Sequence, residues 1–411
     1  MMHSAPKRID TAFSDAAVKG MLALLKASPF PEKAPIDSSQ PWKLGIDYDY
    51  LKKLKNIFET EWSWESLQKR IAKFDHYLVH CERDGDGFDL HYIHAKSPRS
   101  DAIPLILLHG WPGTFFDFHR IIEPLTNPGK PDLPAFHVVV PSLPGYFLST
   151  LPRRSNMSID HIATILNELM TTVLRYKNYV GQGGDWGSMI LRMMGSMYPD
   201  QLSLTHYNMF YTGVVPDNDL SCYSESEKKF LKRFSEVKDT EFGYLVIQTT
   251  KRFSEVKDME FGYLVIQTTK PFTIGFAIAS SPLAILTYIG DKIYGWSDPG
   301  LLNPLDIIDT TALYYLSGSF TTSVMMYNQS AVQLMDLAAP ASEGKSLLKN
   351  KFGFSAFPYE LGRAPKKVLQ TYGPLVYLKE HSSGGHFPAL DSPKEFVADL
   401  QEFFGEHWES T

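Results

Sequence analysis

Residues Ala102-Ile103-Pro104-Leu105-Ile106-Leu107-Leu108 form a continuous apolar run that ends at His109-Gly110-Trp111-Pro112-Gly113. Such a run, without polar alternation, fits a strand covered on both faces, and the Gly and Pro after it fit a tight loop. Phe136-His137-Val138-Val139-Val140-Pro141 repeats the pattern after a helix-length spacer. A third unit, Asn178-Tyr179-Val180-Gly181-Gln182-Gly183-Gly184, passes through Asp185-Trp186-Gly187 into the helical sequence Ser188-Met189-Ile190-Leu191-Arg192-Met193-Met194. These alternations specify βαβ units and therefore an α/β fold with a mostly parallel sheet. Lys351 to Ala356 and Leu375 to Leu378 read as further strands, and Pro393 to Trp408 as a closing amphipathic helix.

The scaffold thus falls into two blocks, 102–211 and 346–411. The segment between them, 212–345, has helical character and few buried-strand runs, as expected of a lid inserted over the site. Residues 1–101 are different again: Trp42, Trp62 and Trp64 lie in charged, helix-like sequence such as Tyr50 to Phe58, expected to wrap the scaffold. Within the lid, Lys232–Thr250 is followed directly by a copy, Lys251–Thr269, that differs only at Thr240 versus Met259. Two copies are too few for a solenoid, which needs roughly three or more units. Added within a helix, nineteen residues would rotate everything downstream by roughly 100°. One copy is therefore expected to loop out or pack as an added element.

With 411 residues, 44% hydrophobic and 21% charged, the chain has the composition of a soluble globular protein. A net charge of -6 without a long basic run argues against a nucleic-acid partner. Cys81 and Cys222 cannot build a disulfide framework or a four-thiolate zinc site, and fit a reducing, cytoplasmic compartment. The apolar stretch Val18 to Lys26 is broken by lysines and falls short of the roughly 18 residues of a membrane span, so neither signal peptide nor membrane anchor is expected. A small-molecule substrate is favoured, with no cofactor or metal.

Gly183-Gly184-Asp185-Trp186-Gly187 has the shape of a nucleophile elbow with aspartate where an esterase has serine. A carboxylate can displace oxygen or halide at an sp³ carbon, leaving an alkyl ester that water must hydrolyse. The plainer use of Asp185 is a helix N-cap; the flanking glycines and preceding strand favour the nucleophile. The His109-Gly110-Trp111-Pro112 loop is placed to offer the Trp111 N–H, and Trp186 a second N–H, as an oxyanion hole. Gly384-Gly385-His386-Phe387 follows the last strand, where the histidine of a triad falls, making His386 the candidate general base and His381 a weaker rival. Glu360, 26 residues before His386, follows the strand-like run 351–356 and is the candidate third member; Asp391 and Glu380 are alternatives.

The His109-Gly110-Trp111-Pro112 loop, Gly184-Asp185-Trp186-Gly187, Phe357-Pro358-x-Glu360-Leu361 and Gly384-Gly385-His386-Phe387 together resemble the microsomal-type epoxide hydrolases, including their soluble fungal members. The stretch from Trp42 to Phe74 resembles that family's N-terminal domain. The resemblance implies an α/β-hydrolase core with a helical lid, Asp185 as nucleophile, His386 as base and Glu360 as relay acid. It also implies two lid tyrosines that hydrogen-bond the epoxide oxygen: Tyr327 in Met325-Met326-Tyr327-Asn328, and Tyr263 ahead of Thr269-Lys270-Pro271-Phe272-Thr273-Ile274-Gly275. Tyr244 has the same local context in the first repeat copy. The expected partners are an epoxide and water, and the resemblance makes a homodimer reasonable. Two other readings stay open: a haloalkane dehalogenase, which shares the triad but needs halide donors in place of phenols, and a relative silenced by the duplicated lid.

Overall fold

The computed structural model describes residues 2–36, 41–83, 85–154, 156–212, 224–228, 262–338 and 347–409. Among them, one sheet runs through β1 (Met2–His3), β2 (Lys7–Ile9), β3 (His76–Arg83), β4 (Asp86–Ala95), β5 (Ile103–Leu108), β6 (Phe136–Pro141), β7 (Tyr179–Gly183), β8 (Leu202–Tyr207), β9 (Phe352–Ala356) and β10 (Leu375–Glu380). The spatial order is β1-β3-β4-β6-β5-β7-β8-β9-β10, with β2 also on β3. Pairing is parallel from β6 through to β10 and antiparallel on the β4, β3, β1 and β2 side. The apolar runs at 102–108, 136–141 and 178–184 occupy the centre, where Leu105, Ile106, Val138 and Val180 are fully buried. Helices α1 (Asp15–Ala27), α2 (Tyr48–Thr60), α3 (Trp64–Ile71), α4 (Ile122–Thr126), α5 (Ile159–Glu168) and α6 (Asp185–Met197) lie between these strands in the chain, and of them α4 packs on β6 and α6 on β5, β7 and β8.

Two strand groups escaped the sequence reading. The first hundred residues do contain helices, each started by a side-chain cap from Ser14, Asp47 or Ser63. They also extend the sheet itself through the β3/β4 hairpin, which pairs β4 directly with β6. The signal was present as Asp84-Gly85 between two alternating runs, a turn dipeptide suited to a tight hairpin. Strand β8, Leu202-Ser203-Leu204-Thr205-His206-Tyr207, lacks the continuous apolar run of its neighbours. Its buried His206 bonds through Nε2 to Ser355 Oγ of β9 at 3.0 Å, which lowers the cost of a polar residue in the sheet interior.

The lid comprises α7 (Gly262–Thr269), α8 (Pro271–Ala279), α9 (Pro282–Trp296), α10 (Pro304–Ser317), α11 (Phe320–Ser323), α12 (Met325–Gln329) and α13 (Ala331–Ala338). It is fastened to both flanking regions through buried acids on α10. Arg120 donates to both oxygens of Asp306, at 2.9 and 2.7 Å, while Asp309 takes the Trp62 indole N–H at 2.9 Å and pairs with Arg70 at 2.7 Å. Unpaired, either carboxylate would be costly to bury. Of the duplicated segment only Gly262–Thr269 is described, as α7, so the expected looping-out of one copy and Tyr244 itself lie outside the described residues. The chain closes with α14 (Lys366–Thr371), α15 (Pro388–Asp391) and α16 (Pro393–His407). No single helix among the described residues is long and apolar enough to cross a membrane.

Candidate active site

Asp185 stands where β7 turns into α6, with φ of 47°, in the left-handed region that a residue with a Cβ adopts only under constraint. The turn is tight because its neighbours are glycines. A Cβ on Gly187 would lie 2.1 Å from the Leu108 carbonyl oxygen, and one on Gly183 would lie 2.4 Å from that of Gly187. The strained backbone pushes the carboxylate out at the carboxyl end of the central strand, beside the N-terminus of a helix that favours negative charge.

The Trp111 N–H donates to Asp185 Oδ1 at 2.7 Å, and His386 Nε2 lies 3.3 Å from Oδ2. His386 Nδ1 is 2.8 Å from Glu360 Oε1, which also accepts the Gly362 N–H at 3.0 Å. Asp185, His386 and Glu360 therefore form one chain, an ion pair followed by a hydrogen bond, although they come from three separate loops. His386 is itself tied to the lid, its backbone N–H donating to the Trp296 carbonyl at 2.9 Å. Trp186 is buried at the start of α6, directly after Asp185. His109 explains the histidine of its loop differently: its Nε2 accepts the Leu143 N–H at 3.1 Å, leaving Nδ1–H to donate to the Gly110 carbonyl at 3.1 Å. Burial pushes His109 down to about 4, so it is a neutral brace for the loop.

Burial disfavours a charged His386, yet the Glu360 charge and the hydrogen bond and charge of Asp185 outweigh it and push the imidazole up to about 10. Two of those causes depend on an ionised Asp185. Anything that neutralises Asp185 loosens the proton on His386 and favours the neutral imidazole that can act as a base.

Above the carboxylate the lid contributes an aromatic wall. Tyr263 of α7 stacks on Trp111 with ring centroids 5.6 Å apart, and Tyr327 of α12 stands edge-on to Trp186 at 4.8 Å. The two phenol rings are 6.2 Å from each other. Burial, with Tyr263 and Asp185 adding to it, raises the Tyr327 phenol well above its ordinary range, which keeps it a neutral hydrogen-bond donor. On the other side of the chain of three, a cavity of about 30 Å³ is lined by His109, Asp117, Gln182, Asp185, Asn208 and His386 among others. That is room enough for a water molecule.

The rival residues are engaged elsewhere. His381 binds Asp399 at 2.6 Å and stacks on Phe357, Glu380 pairs with Arg363, and Asp391 accepts the Asp298 N–H at 3.4 Å. Sequence reasoning overlooked Gln182 and Asn208, both buried beside the three; neither belongs to a motif, and only the adjacency of β7 and β8 brings them there.

Residues 6–118 match the model described as epoxide hydrolase N terminus, and residues 103–203 match that of the alpha/beta hydrolase fold. A Stigmatella aurantiaca relative, grouped by name with the epoxide hydrolases, is 31% identical over 96% of this chain and 83% of its own. The chain belongs to the epoxide hydrolase family. Among solved epoxide hydrolases, that of Aspergillus niger superposes with a TM-score of 0.82 at 28% identity, over 98% of this chain and 97% of that one. The juvenile hormone epoxide hydrolase of the silkworm Bombyx mori superposes with a TM-score of 0.81 at 27% identity, over 98% and 94%.

Proposed function

We propose that this protein hydrolyses a small-molecule epoxide to a vicinal diol through an ester on Asp185. The observation that carries the reading is the chain Asp185–His386–Glu360 lying under two lid phenols, Tyr263 and Tyr327. In the first half-reaction Asp185 Oδ2 attacks one ring carbon and the C–O bond breaks. The ring oxygen, hydrogen-bonded by the two tyrosines, leaves as an alkoxide and takes a proton from one of them. Oδ1 stays on the Trp111 N–H.

Esterification removes the charge of Asp185, and with it part of what held the proton on His386; the imidazole releases that proton, which replaces the one the tyrosine gave up. In the second half-reaction the neutral imidazole takes a proton from water as the water oxygen attacks Cγ of Asp185. Charge develops on Oδ1, where the Trp111 N–H, together with that of Trp186, stabilises it. Collapse breaks the Cγ–Oδ2 bond, His386 returns the proton to the departing diol oxygen, and Glu360 balances the imidazolium while it exists; the regenerated Asp185 acid then gives its proton to His386, restoring the starting pair.

Asp185→Ala should abolish diol formation. His386→Gln should still form the ester and fail to clear it, so that intact-protein mass spectrometry after mixing with an epoxide finds the chain heavier by one substrate. A histidine variant that never carries the adduct would remove the covalent mechanism. Tyr263→Phe should slow ring opening by roughly tenfold to a hundredfold, the value of a hydrogen bond to a developing charge, and Tyr244→Phe should leave it unchanged. Stopped-flow tryptophan fluorescence reads that step directly, and the reverse result would move the acid to the first repeat copy.

A further inference from the structure

Asn208, the residue after β8, is 2% exposed, and each end of its amide has a partner. Its Nδ2 lies 3.1 Å from Glu360 Oε2 and 3.4 Å from the His386 carbonyl oxygen. Its Oδ1 lies 2.9 Å from Nε2 of Gln182, which sits on β7 three residues before Asp185. The carboxylate dictates the direction of this chain. Ionised Glu360 can only accept, so Asn208 must turn its NH₂ toward it; the Asn208 oxygen then faces Gln182, whose NH₂ must donate.

The two oxygens of Glu360 thus have separate tasks. Oε1 receives His386 Nδ1 and the Gly362 N–H, and Oε2 receives Asn208. A carboxylate this deeply buried needs such donors and is aimed by them. The elbow makes room for the arrangement: a Cβ on Gly184 would stand 2.7 Å from Asn208 Oδ1. Asp185, by contrast, takes its hydrogen bond from Trp111 on the opposite side and needs nothing from Asn208 in order to attack.

We propose that Asn208 is a positioning residue for ester hydrolysis alone: it fixes the Glu360 carboxylate against His386, and through the His386 carbonyl it fixes the loop that carries the base. The inference rests on the reading of Glu360 and His386 as relay acid and base. It separates the two half-reactions. Loss of the amide leaves ring opening intact and slows the step in which His386 must accept a proton.

The test is single-turnover kinetics with a reactive epoxide, following ester formation by tryptophan fluorescence and ester decay by rapid quench and mass spectrometry. Asn208→Leu, of similar volume and without a donor, should leave the rate of ester formation unchanged and lengthen the ester lifetime by roughly tenfold to a hundredfold. Gln182→Met, which frees the amide to rotate without removing it, should give the same pattern more weakly and stands in if the leucine variant does not fold. Glu360→Gln is measured in parallel. If Glu360→Gln lengthens the lifetime while the folded Asn208 and Gln182 variants do not, the inference fails. It fails also if both half-reactions slow together, because a merely structural role would damage each. If Glu360→Gln leaves the lifetime unchanged, the parent assignment of Glu360 falls and the role of Asn208 with it.

Discussion

Gly110→Ala tests whether Asp185 works only in the one position the loops allow it. A methyl on Gly110 would lie 2.0 Å from Asp185 Oδ1, 2.4 Å from its Cβ and 2.5 Å from its Cγ. Non-bonded heavy atoms settle at roughly 3.5 Å, so the carboxylate must retreat by roughly 1.5 Å. Rotating the side chain gives no relief, because its Cβ is struck as well and the backbone at Asp185 is held between β7 and α6. The displaced carboxylate loses the Trp111 N–H and the line of attack. A misplacement of about 1 Å can cost roughly a hundredfold in rate, so ring opening should fall at least that far. Stability should fall by about 1–3 kcal/mol, the usual cost of overfilling a packed site. Gly20→Ala is the control: Gly20 lies within α1, where an added methyl would meet nothing within 4 Å, and the change should stabilise by about 0.5–1 kcal/mol. The assay is the pre-steady-state rate of ester formation, corrected for the folded fraction by urea denaturation. A folded Gly110→Ala protein that opens epoxides at the parental rate would refute the claim that this contact sets the nucleophile.

Arg120→Met should destabilise the protein by about 3–5 kcal/mol in urea unfolding, because it strands the buried Asp306 carboxylate; adding Asp306→Leu should recover much of the loss, and a neutral single variant would show that the lid is held by packing alone. Stability should also depend on pH through His386. Its folded value, about 10, exceeds its ordinary 6.5, so its contribution is fully present below 6.5 and lost as pH rises through about 10. Asp185→Asn removes two causes of that rise, so the loss of stability between pH 7 and 10, read from paired denaturation curves, should shrink; an unchanged loss would mean that Asp185 does not hold the proton there.

How much of this was legible beforehand depended on how local the signal was. The parallel half of the sheet was visible because a strand covered on both faces must be continuously apolar, as in Ile103–Leu108 and Phe136–Pro141. Asp185 and the Trp111 loop were visible because a sharp strand-to-helix turn demands small neighbours, and those lie adjacent in sequence. Strand β8 was not, because its polar His206 finds a partner for Nε2 on β9, a fact no window of sequence contains. The N-terminal hairpin was passed over although the sequence carries the turn dipeptide Asp84-Gly85 between two alternating runs, since the charged helices around it set the character of the region.

For the site the division is sharper. Sequence by itself offered the chemical types: a carboxylate at an elbow, an imidazole after the last strand and a second carboxylate after the strand before it, with phenols in an inserted helical segment added by the family resemblance. Only the tertiary structure decided which groups meet. Parallel strands place their loops at one end of the sheet, so Asp185, Glu360 and His386 converge there while His381, a few residues away in the chain, turns to Asp399 instead. The same convergence set Asn208 against Glu360 from the neighbouring strand. Hydrogen bonds read distance in space, and 152 residues of chain separate that pair.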